Sequence, residues 1–468
     1  MAGFRPLVFL AAAAIALSAC EPTSPTVAPR RPHSTPSSSD TRIIGLVGTL
    51  SGAGSWRGED AFEGADVGVS VLNRNLDRGQ PSFELVTLDD QGQPRRAGRL
   101  IARLAAEERA VGIVYAGPLD GLEEAESALA EAGIPLLSIF SDLSSRGALT
   151  KHVFQVATPL TWEARRIGRY LLNDRRYLSI GALIDETPEG KVSATALRGA
   201  LGRRIGVQWY EPETEDLRAP LERLRERGVE AIVVHGSPAD FARTLRTLDA
   251  MDARYRTTQA ARIASAPPSR FPGGPLTPWQ PQVVGFDDAI VPSGLHRPPP
   301  GTVAAASYER GVHYLPIGSF REFRNAYQMW WESAPLGREQ RAFEAVRILG
   351  WADTTGALDL AVALERIPPV RFGGADITLS QTDHVLGAPR DVGLWVVPRQ
   401  GIPVQERSKL PAGLPWVPLA RAFASGERTR LERQDWTSLF AFIPPKSLAP
   451  RFQSMSFGVT TPASDPVH

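Results

Sequence analysis

The sequence predicts an α/β fold in which short parallel strands alternate with helices. Three observations carry that reading. The stretch Arg42–Gln91 is patterned strand, glycine-rich turn, helix, strand. The same alternation then repeats along most of the chain. The strands are near-continuous apolar runs, as in sheets covered on both faces, and each ends in a polar loop where open α/β sheets hold ligands.

The first unit sets the pattern. Ile43–Leu50 is apolar enough for a buried strand, and Ser51-Gly52-Ala53-Gly54 is a small-residue turn. From Glu59 to Leu72 the residues Phe62, Ala65, Val69 and Leu72 share one helical face. Phe83–Leu88 is the second strand, closed by Asp89-Asp90. A helix follows over Pro94–Arg109, with strands at Val111–Tyr115 and Ile134–Ser138 and a helix at Leu122–Ala132 whose acids stand early, where a helix dipole favours them. Beyond Val153–Val156 a second set begins. It has helices at Trp162–Asn173, Lys191–Leu201, Leu217–Arg227 and 239–252, and strands at Leu178–Ile184, Val207–Tyr210 and Ala231–Val234. Val283–Asp287 reads as a strand returning to the first lobe, and Phe320–Trp331 and Ala342–Leu364 as long helices. Closing strands are expected near Phe372–Leu379 and Val392–Val397.

A chain of 468 residues accommodates two domains of ordinary size, and 43% hydrophobic with 22% charged residues is the composition of a globular protein. The formal net charge of +1 gives no field for nucleic acid. The lone cysteine, Cys20, excludes an intramolecular disulfide within the chain and a thiolate metal site. Met1–Cys20 carries Arg5 and an apolar run from Leu7 to Leu17, too short to span a bilayer but suited to a signal-peptide core. Glu21–Asp40, rich in Pro, Ser and Thr, is expected to be an extended tether.

Two resemblances sharpen these expectations. Leu17-Ser18-Ala19-Cys20 resembles a bacterial lipobox, which implies a signal peptide over 1–19 and a diacylated Cys20 as the membrane anchor. The alternative is an ordinary signal peptide cut nearby. The run GTLSG at 48–52 with Gly58 and Gly64, then LDDQGQP at 88–94, AEAGIPLLS at 130–138 and GVEAIVVHG at 228–236, resembles the branched-chain amino-acid receptors among type I periplasmic solute-binding proteins. That likeness implies two Rossmann-like lobes, each a parallel sheet flanked by helices, joined by three crossovers. It places the first lobe at 41–155 plus 287–368 and the second at 156–286 plus 369–400. It leaves 20–40 as tether and 401–468 as a C-terminal extension.

No GxSxG, HExxH or GxxxxGK[ST] motif occurs, and the seven histidines are scattered, so neither catalysis nor a metal or other cofactor is expected. Asp89-Asp90 reads as a structural acidic turn rather than an acid/base pair, and His235 and His384, at strand ends, as ordinary histidines rather than ligand contacts. The resemblance implies an interlobe ligand cleft whose positions fall at Trp56 and Arg57, at Asp120 and Gly121, at Ser138, Ser141 and Asp142, and at Glu189. Here Glu189 stands where the family's second lobe has a tyrosine before a glycine, and Asp120 and Asp142 would repel a bound carboxylate. Amino-acid specificity is therefore not carried over. One expectation is a cationic or polyhydroxy ligand held by Asp120, Asp142 and Glu189, with Arg57 on an anionic group. The other is that Arg57 pairs with one of these acids and the cleft is degenerate. The implied protein is a monomeric, lipid-anchored receptor outside the cytoplasm that hands a small molecule to an ABC permease with its ATPases. The competing reading is a lipoprotein of the same fold, resembling penicillin-binding-protein activators, that works as an interaction or regulatory module or as a ligand sensor.

Overall fold

A computed structural model describes residues 41–398, apart from internal stretches of which the longest are 143–150, 266–278, 291–297 and 311–317, together with 416–419. Two sheets organise these residues. The first lobe is laid down in order as β1 (Arg42–Gly48), α1 (Ser55–Arg74), β2 (Phe83–Asp89), α2 (Pro94–Ala105), β3 (Ala110–Ala116), α3 (Glu123–Ala132), β4 (Leu136–Ser138) and β5 (Val153–Gln155). Its strands run parallel in the order β2-β1-β3-β4-β5, with Ile44 beside Leu85 on one side and Gly112 on the other. The second lobe follows as α4 (Leu160–Arg169), β6 (Ile180–Asp185), α5 (Pro188–Leu201), β7 (Ile205–Tyr210), α6 (Arg218–Glu226), β8 (Ala231–His235), α7 (Pro238–Ser265), β9 (Gln282–Gly285) and β10 (Val303–Ala306). The chain then builds α8 (Gly318–Trp331), α9 (Glu339–Thr354) and α10 (Leu360–Glu365), a small hairpin of β11 (Val370–Phe372) and β12 (Ala375–Ile377), and finally β13 (Gly393–Val396) and β14 (Val417–Pro418).

The first sheet is covered on both faces. Ile44, Leu46 and Val114 pack with Ala61 and Ala65 of α1 and with Ala342, Val346 and Leu349 of α9. On the other face Val47, Ile113 and Tyr115 pack with Ala97 and Ile101 of α2 and Ala125 of α3. Apolar residues alternate toward the two helical layers, so the strands read as continuous hydrophobic runs. α8 lies outside this sandwich and closes a smaller cluster of Phe320, Phe323 and Tyr327 with Val67, Val71 and Phe343.

The α1–α9 contact depends on glycine. A Cβ on Gly64 would lie 1.9 Å from the Glu339 carbonyl oxygen, and one on Gly68 2.9 Å from Val346 Cβ. The two helices therefore approach backbone to side chain only because those positions are bare.

In the second sheet the order is β7-β6-β8-β9-β10-β13-β14. The strands are parallel from β7 to β10, and β13 is antiparallel to both β10 and β14. Both lobes share the 2-1-3-4-5 order of doubly wound sheets, which places a topological switch between β1 and β3 in one lobe and between β6 and β8 in the other.

Three differences from the sequence expectations stand out, two of them in where the chain changes lobe. β9 does not return to the first lobe: it lies between β8 and β10, with Val233 opposite Val284. Residues 287–306 therefore lead to a further strand of the second lobe, since Val303 pairs with Val284. In the other direction, Leu379 and Leu386 pack in the first lobe's core, and Gln155 pairs with Val385, so the last crossover comes after 386 rather than at 369. The chain changes lobe between β5 and α4, between β10 and α8, and between Leu386 and β13. The expected helix Ala342–Leu364 is two helices, because Gly356 turns the chain with φ +65° and Asp359 caps α10 through the Val362 N–H. The extension beyond residue 400 contributes β14 to the second sheet, where Trp416, Val417 and Leu419 are buried in its core.

Candidate functional site

The first-lobe side of the site is built at the end of β1. Gly54, at φ +82°, turns the chain into α1. A Cβ on Gly58 would fall 2.1 Å from the Thr49 carbonyl oxygen, so glycine there lets the helix start directly against the strand end. Asp89 and Asp90 hold the neighbouring turn. Asp89 accepts the N–H groups of Leu50 and Gln91, each at 2.9 Å, and Asp90 accepts the Thr49 hydroxyl and the Gly92 N–H, each at 2.8 Å. The acidic pair is a turn brace, as its position suggested.

This scaffold presents Trp56 and Arg57 in the first turn of α1. Trp56 meets Phe140, just past β4, edge to face at 5.7 Å between ring centroids. Two guanidiniums lie over the indole, that of Arg57 at 5.2 Å and that of Arg338 at 4.5 Å from its centroid, and Arg341 lies 5.8 Å from the Phe140 ring. Arg338 and Arg341 come from the start of α9, nearly 300 residues along the chain, and belong to the same lobe as α1.

The second lobe supplies the acids. Asp287 and Asp288 directly follow β9. Asp287 accepts from Arg310 Nε at 2.7 Å and pairs with Arg341 across the lobes, while Arg310 Nη2 donates to the Asp287 carbonyl at 3.1 Å. Asp288 and Arg57 are 3.7 Å apart, a looser ion pair between the lobes. Glu163, in the first turn of α4, accepts the Asp287 N–H at 3.0 Å. Back in the first lobe, Asp60 accepts from Arg338 Nε at 2.6 Å, and Glu339 accepts the N–H groups of Leu336 and Gly337 at 2.9 and 2.7 Å.

Burial sets these carboxyls apart. It would raise Asp287, but the charges of Arg310 and Arg341 outweigh it and hold that carboxyl below the ordinary range. Glu163 is pushed well up by burial and by the adjacent Asp287 charge, and Glu339 is pushed up to about 7 by burial and by Asp60. Asp60 is also raised by burial, against the pull of Arg338.

A second polar group sits at the switch point of the second sheet. Asp185, at the end of β6, lies 2.6 Å from Nδ1 of His235, at the end of β8. Thr187 donates to Asp185 at 3.0 Å and accepts the Gly190 N–H at 3.0 Å, which caps α5. Tyr210 donates to the His235 carbonyl at 2.9 Å, and Phe286 meets the His235 ring edge to face. His235 is thus a paired histidine, in a turn between strand ends. His384 is a core residue: it is stacked 4.2 Å from Phe154 and bonded through Nδ1 to the Val153 carbonyl.

Of the residues expected to line the cleft, Trp56 and Arg57 are in the network, and the partner of Arg57 is Asp288. Ser138 is fully buried at the end of β4. Asp142 accepts the Leu160 N–H at 2.6 Å and so ties the loop after β4 to the start of α4 across the first crossover. Glu189 stands in the first turn of α5, on the same side as Asp185 and His235. Asp120, Gly121, Ser141 and Cys20 lie outside the described residues. Sequence reasoning missed Asp60, Phe140, Glu163, Asp287, Asp288, Arg310, Arg338 and Arg341. For Asp287 and Asp288 a signal existed, since they follow an apolar strand directly. Among the described residues no cluster of His, Cys, Asp and Glu could hold a metal ion, and no helix is long and apolar enough to cross a membrane.

Residues 43–268 match the model of the periplasmic binding protein family. The computed fold agrees over a longer stretch. The substrate-binding protein LivJ of the branched-chain amino acid transporter from Streptococcus pneumoniae, solved with isoleucine, superposes with a TM-score of 0.60 at 14% identity, over 81% of this chain and all of that one. The chain has the fold of the type I periplasmic binding proteins. Sequence relatives are more distant than the fold. An amino acid binding protein of Pseudomonas aeruginosa is 23% identical over 269 residues, 54% of this chain and 69% of that protein. A Leu/Ile/Val-binding protein homolog of Brucella melitensis is 22% identical over 206 residues, 42% of this chain and 55% of that protein, so the match spans little more than half its length. Within this fold the two lobes turn their strand ends and helix starts toward the arginine–carboxylate network.

Proposed function

We propose that the protein is a solute receptor held at the outer face of a membrane by a lipid on Cys20, capturing a small polar ligand between its lobes for an ABC importer. The observation that carries this reading is the pairing of two strand-end surfaces, one from each lobe, around Trp56, Arg57 and Asp288. Ligand sites at lobe interfaces and at sheet switch points follow the same logic. Closure about the three crossovers would bring the Asp185–His235 side and the Trp56 side onto one ligand. The lipid anchor rests on Cys20 alone, at the lipobox position of the leader.

The test is a thermal-shift panel of amino acids, polyamines, sugars, amides and carboxylates. A ligand at a hundred times its dissociation constant stabilises the protein by about 2.7 kcal/mol, a readily measured rise in Tm. For the anchor, Cys20→Ser is expected to move the protein from the membrane fraction to the soluble envelope fraction; retention in the membrane fraction would refute lipidation at Cys20.

One observation favours a second reading, that of an interaction or regulatory module without a ligand. Asp287, at a strand end of the second lobe, is already saturated by Arg310 and Arg341 of the protein itself. A protein that answers to no class of solute in the panel, yet co-purifies with an envelope protein, would fit that reading instead.

A further inference from the structure

We propose that the second lobe docks onto an anionic lipid bilayer through the end of its sheet that lies away from the cleft. The argument begins with how charge is sorted along β6, β7 and β8. The segments leading into these strands are basic: Asp174-Arg175-Arg176 before β6, Arg203-Arg204 before β7 and Arg225-Glu226-Arg227 before β8. The segments at their other ends are acidic: Asp185-Glu186 closes β6, and Glu211, Glu215 and Asp216 follow β7. The three strands are parallel neighbours in the order β7-β6-β8. All the basic segments therefore meet at one end of the sheet, opposite the strand ends that carry Asp185 and His235.

Local contacts hold this array in place. Ile180 stands opposite Ile205 on one side and Ala231 on the other, which sets Leu178 and Ser179 level with Arg203 and Arg204. Glu230, just before β8, accepts the N–H groups of Leu178 and Ser179 at 2.6 and 3.1 Å. A Cβ on Gly206 would fall 2.4 Å from Nη1 of Arg227, so that guanidinium rests on the bare backbone of β7. The Arg175 guanidinium lies 5.7 Å from the centroid of the Tyr177 ring and donates to its hydroxyl at 3.3 Å. Arg175, Arg176, Arg203, Arg204 and Arg227 are exposed, and Leu178, among them, is 71% exposed. The three segments and Glu230 together hold six arginines and three carboxyls, so positive charge is in excess. Arg169 and Arg198, exposed near the ends of α4 and α5, add to it.

The chemistry selects a bilayer. Guanidinium groups match phosphate oxygens, and clusters of basic side chains are drawn to anionic headgroups. The array spans three strands, about 10 Å between backbones alone, so it faces an extended anionic surface and not one small anion. Leu178 and Tyr177 in its midst suit the boundary between headgroups and acyl chains, where apolar and aromatic side chains settle. On the reading of Cys20 as a lipid anchor, the body is already held beside a bilayer, and a weak contact is then well populated.

The experiment uses the chain from Glu21, which carries no leader and no acyl group and keeps the compact unit Asp40–His468 whole. Its cosedimentation is measured with vesicles of phosphatidylcholine, alone or with about one quarter phosphatidylglycerol. The expected result is saturable binding to the phosphatidylglycerol vesicles, lost as salt rises from about 0.05 to 0.5 M, and none to phosphatidylcholine. Arg203→Gln with Arg204→Gln is expected to weaken that binding at least ten-fold. Arg99→Gln with Arg103→Gln, which removes the same charge from exposed positions on α2, is expected to leave it unchanged. Binding no stronger to phosphatidylglycerol than to phosphatidylcholine vesicles, binding insensitive to salt, or an equal loss in the α2 variant would each overturn the inference. Capture of an acidic protein with no binding to vesicles would overturn it too. Neither Cys20 nor a solute enters this assay, so its failure leaves the anchor and the receptor readings standing, and their failure leaves it.

Discussion

Replacing Asp287 by Asn should cost this protein a large share of its stability. The carboxylate pairs with two buried guanidiniums, those of Arg310 and Arg341, whose side chains are 2% and 5% exposed. Asparagine keeps one acceptor oxygen but turns an N–H₂ toward the other arginine. Removing one partner from a buried ion pair costs about 3–5 kcal/mol, because the remaining charge stays out of water. Both arginines retain carbonyl contacts: Arg310 donates to Leu336 at 3.2 Å and to the Asp287 backbone, and Arg341 to Ile139 at 3.4 Å. The cost therefore belongs at the lower end, about 3 kcal/mol, against a total of about 5–15 kcal/mol for a folded domain. At about 2 °C per kcal/mol, as for larger domains, Tm should fall by about 6 °C.

The pH dependence adds a signature. The folded-state carboxyl of Asp287 is lowered, so its contribution is fully present above the unfolded value and is lost as pH falls through the folded one. Wild type and variant should differ at neutral pH, and the difference should begin to shrink below about pH 4, the ordinary carboxylate range, and close only below the lowered folded value. Urea unfolding followed by circular dichroism at pH 7 and pH 3 reads both. A difference under about 1 kcal/mol at pH 7, or one that persists undiminished in acid, would show that the network is not a buried ion cluster.

Gly64→Ala should force α1 off α9, since its methyl would sit 1.9 Å from the Glu339 carbonyl; a loss of about 1–3 kcal/mol in urea unfolding is expected, whereas Gly199→Ala, in open space on α5, should be neutral or stabilising. Thr187→Ala removes the cap of α5 and a partner of Asp185, with an expected cost of about 1 kcal/mol by the same assay. Glu344 is pushed up to about 7 by burial on α9, so the folded form favours its protonated state; stability from this group is present below about pH 4.5 and is lost as pH rises through 7. Glu344→Gln should therefore stabilise the protein at pH 8 relative to wild type and not at pH 5, a crossover visible in Tm measured at the two values.

The fold was legible because its elements obey local rules. Apolar runs such as Ile43–Gly48 and Ala231–Val234, separated by helix-period segments, leave few topologies open, and the parallel connections are short and regular. The lobe boundaries were less legible. Val303-Ala304-Ala305-Ala306 is a buried strand made almost wholly of alanine, a residue with weak strand preference, so its place beside β9 follows from tertiary pairing and not from pattern. The continuation of the second lobe past Asp287 was hidden for the same reason. At the candidate site, Trp56 and Arg57 were reached through the family resemblance, at the helix start that follows the first strand and its turn. Arg310, Arg338 and Arg341 were not, since arginines near helix ends ordinarily face solvent, and only the return of α9 onto α1 buries them. Asp142 was expected at the ligand site; it accepts a backbone N–H across a crossover, a role no sequence pattern distinguishes from a ligand contact.

The arginine network also bears on how the two lobes move. Arg341 rides on α9 and Arg57 on α1, both fixed to the first sheet, while their acids Asp287 and Asp288 are consecutive residues at one strand end of the second. A change in the angle between lobes must therefore alter both pairs together, and unequally: the Asp287 pair is buried and supported by Arg310 and Glu163, whereas the Asp288 pair is long and partly exposed. The loose pair is the easier of the two to part, because a partly exposed pair contributes roughly 0–1 kcal/mol. Asp288→Asn should then leave stability within about 0.5 kcal/mol of wild type in urea unfolding. A large stability loss would mean that the Asp288 pair belongs to the buried network as fully as the Asp287 pair does.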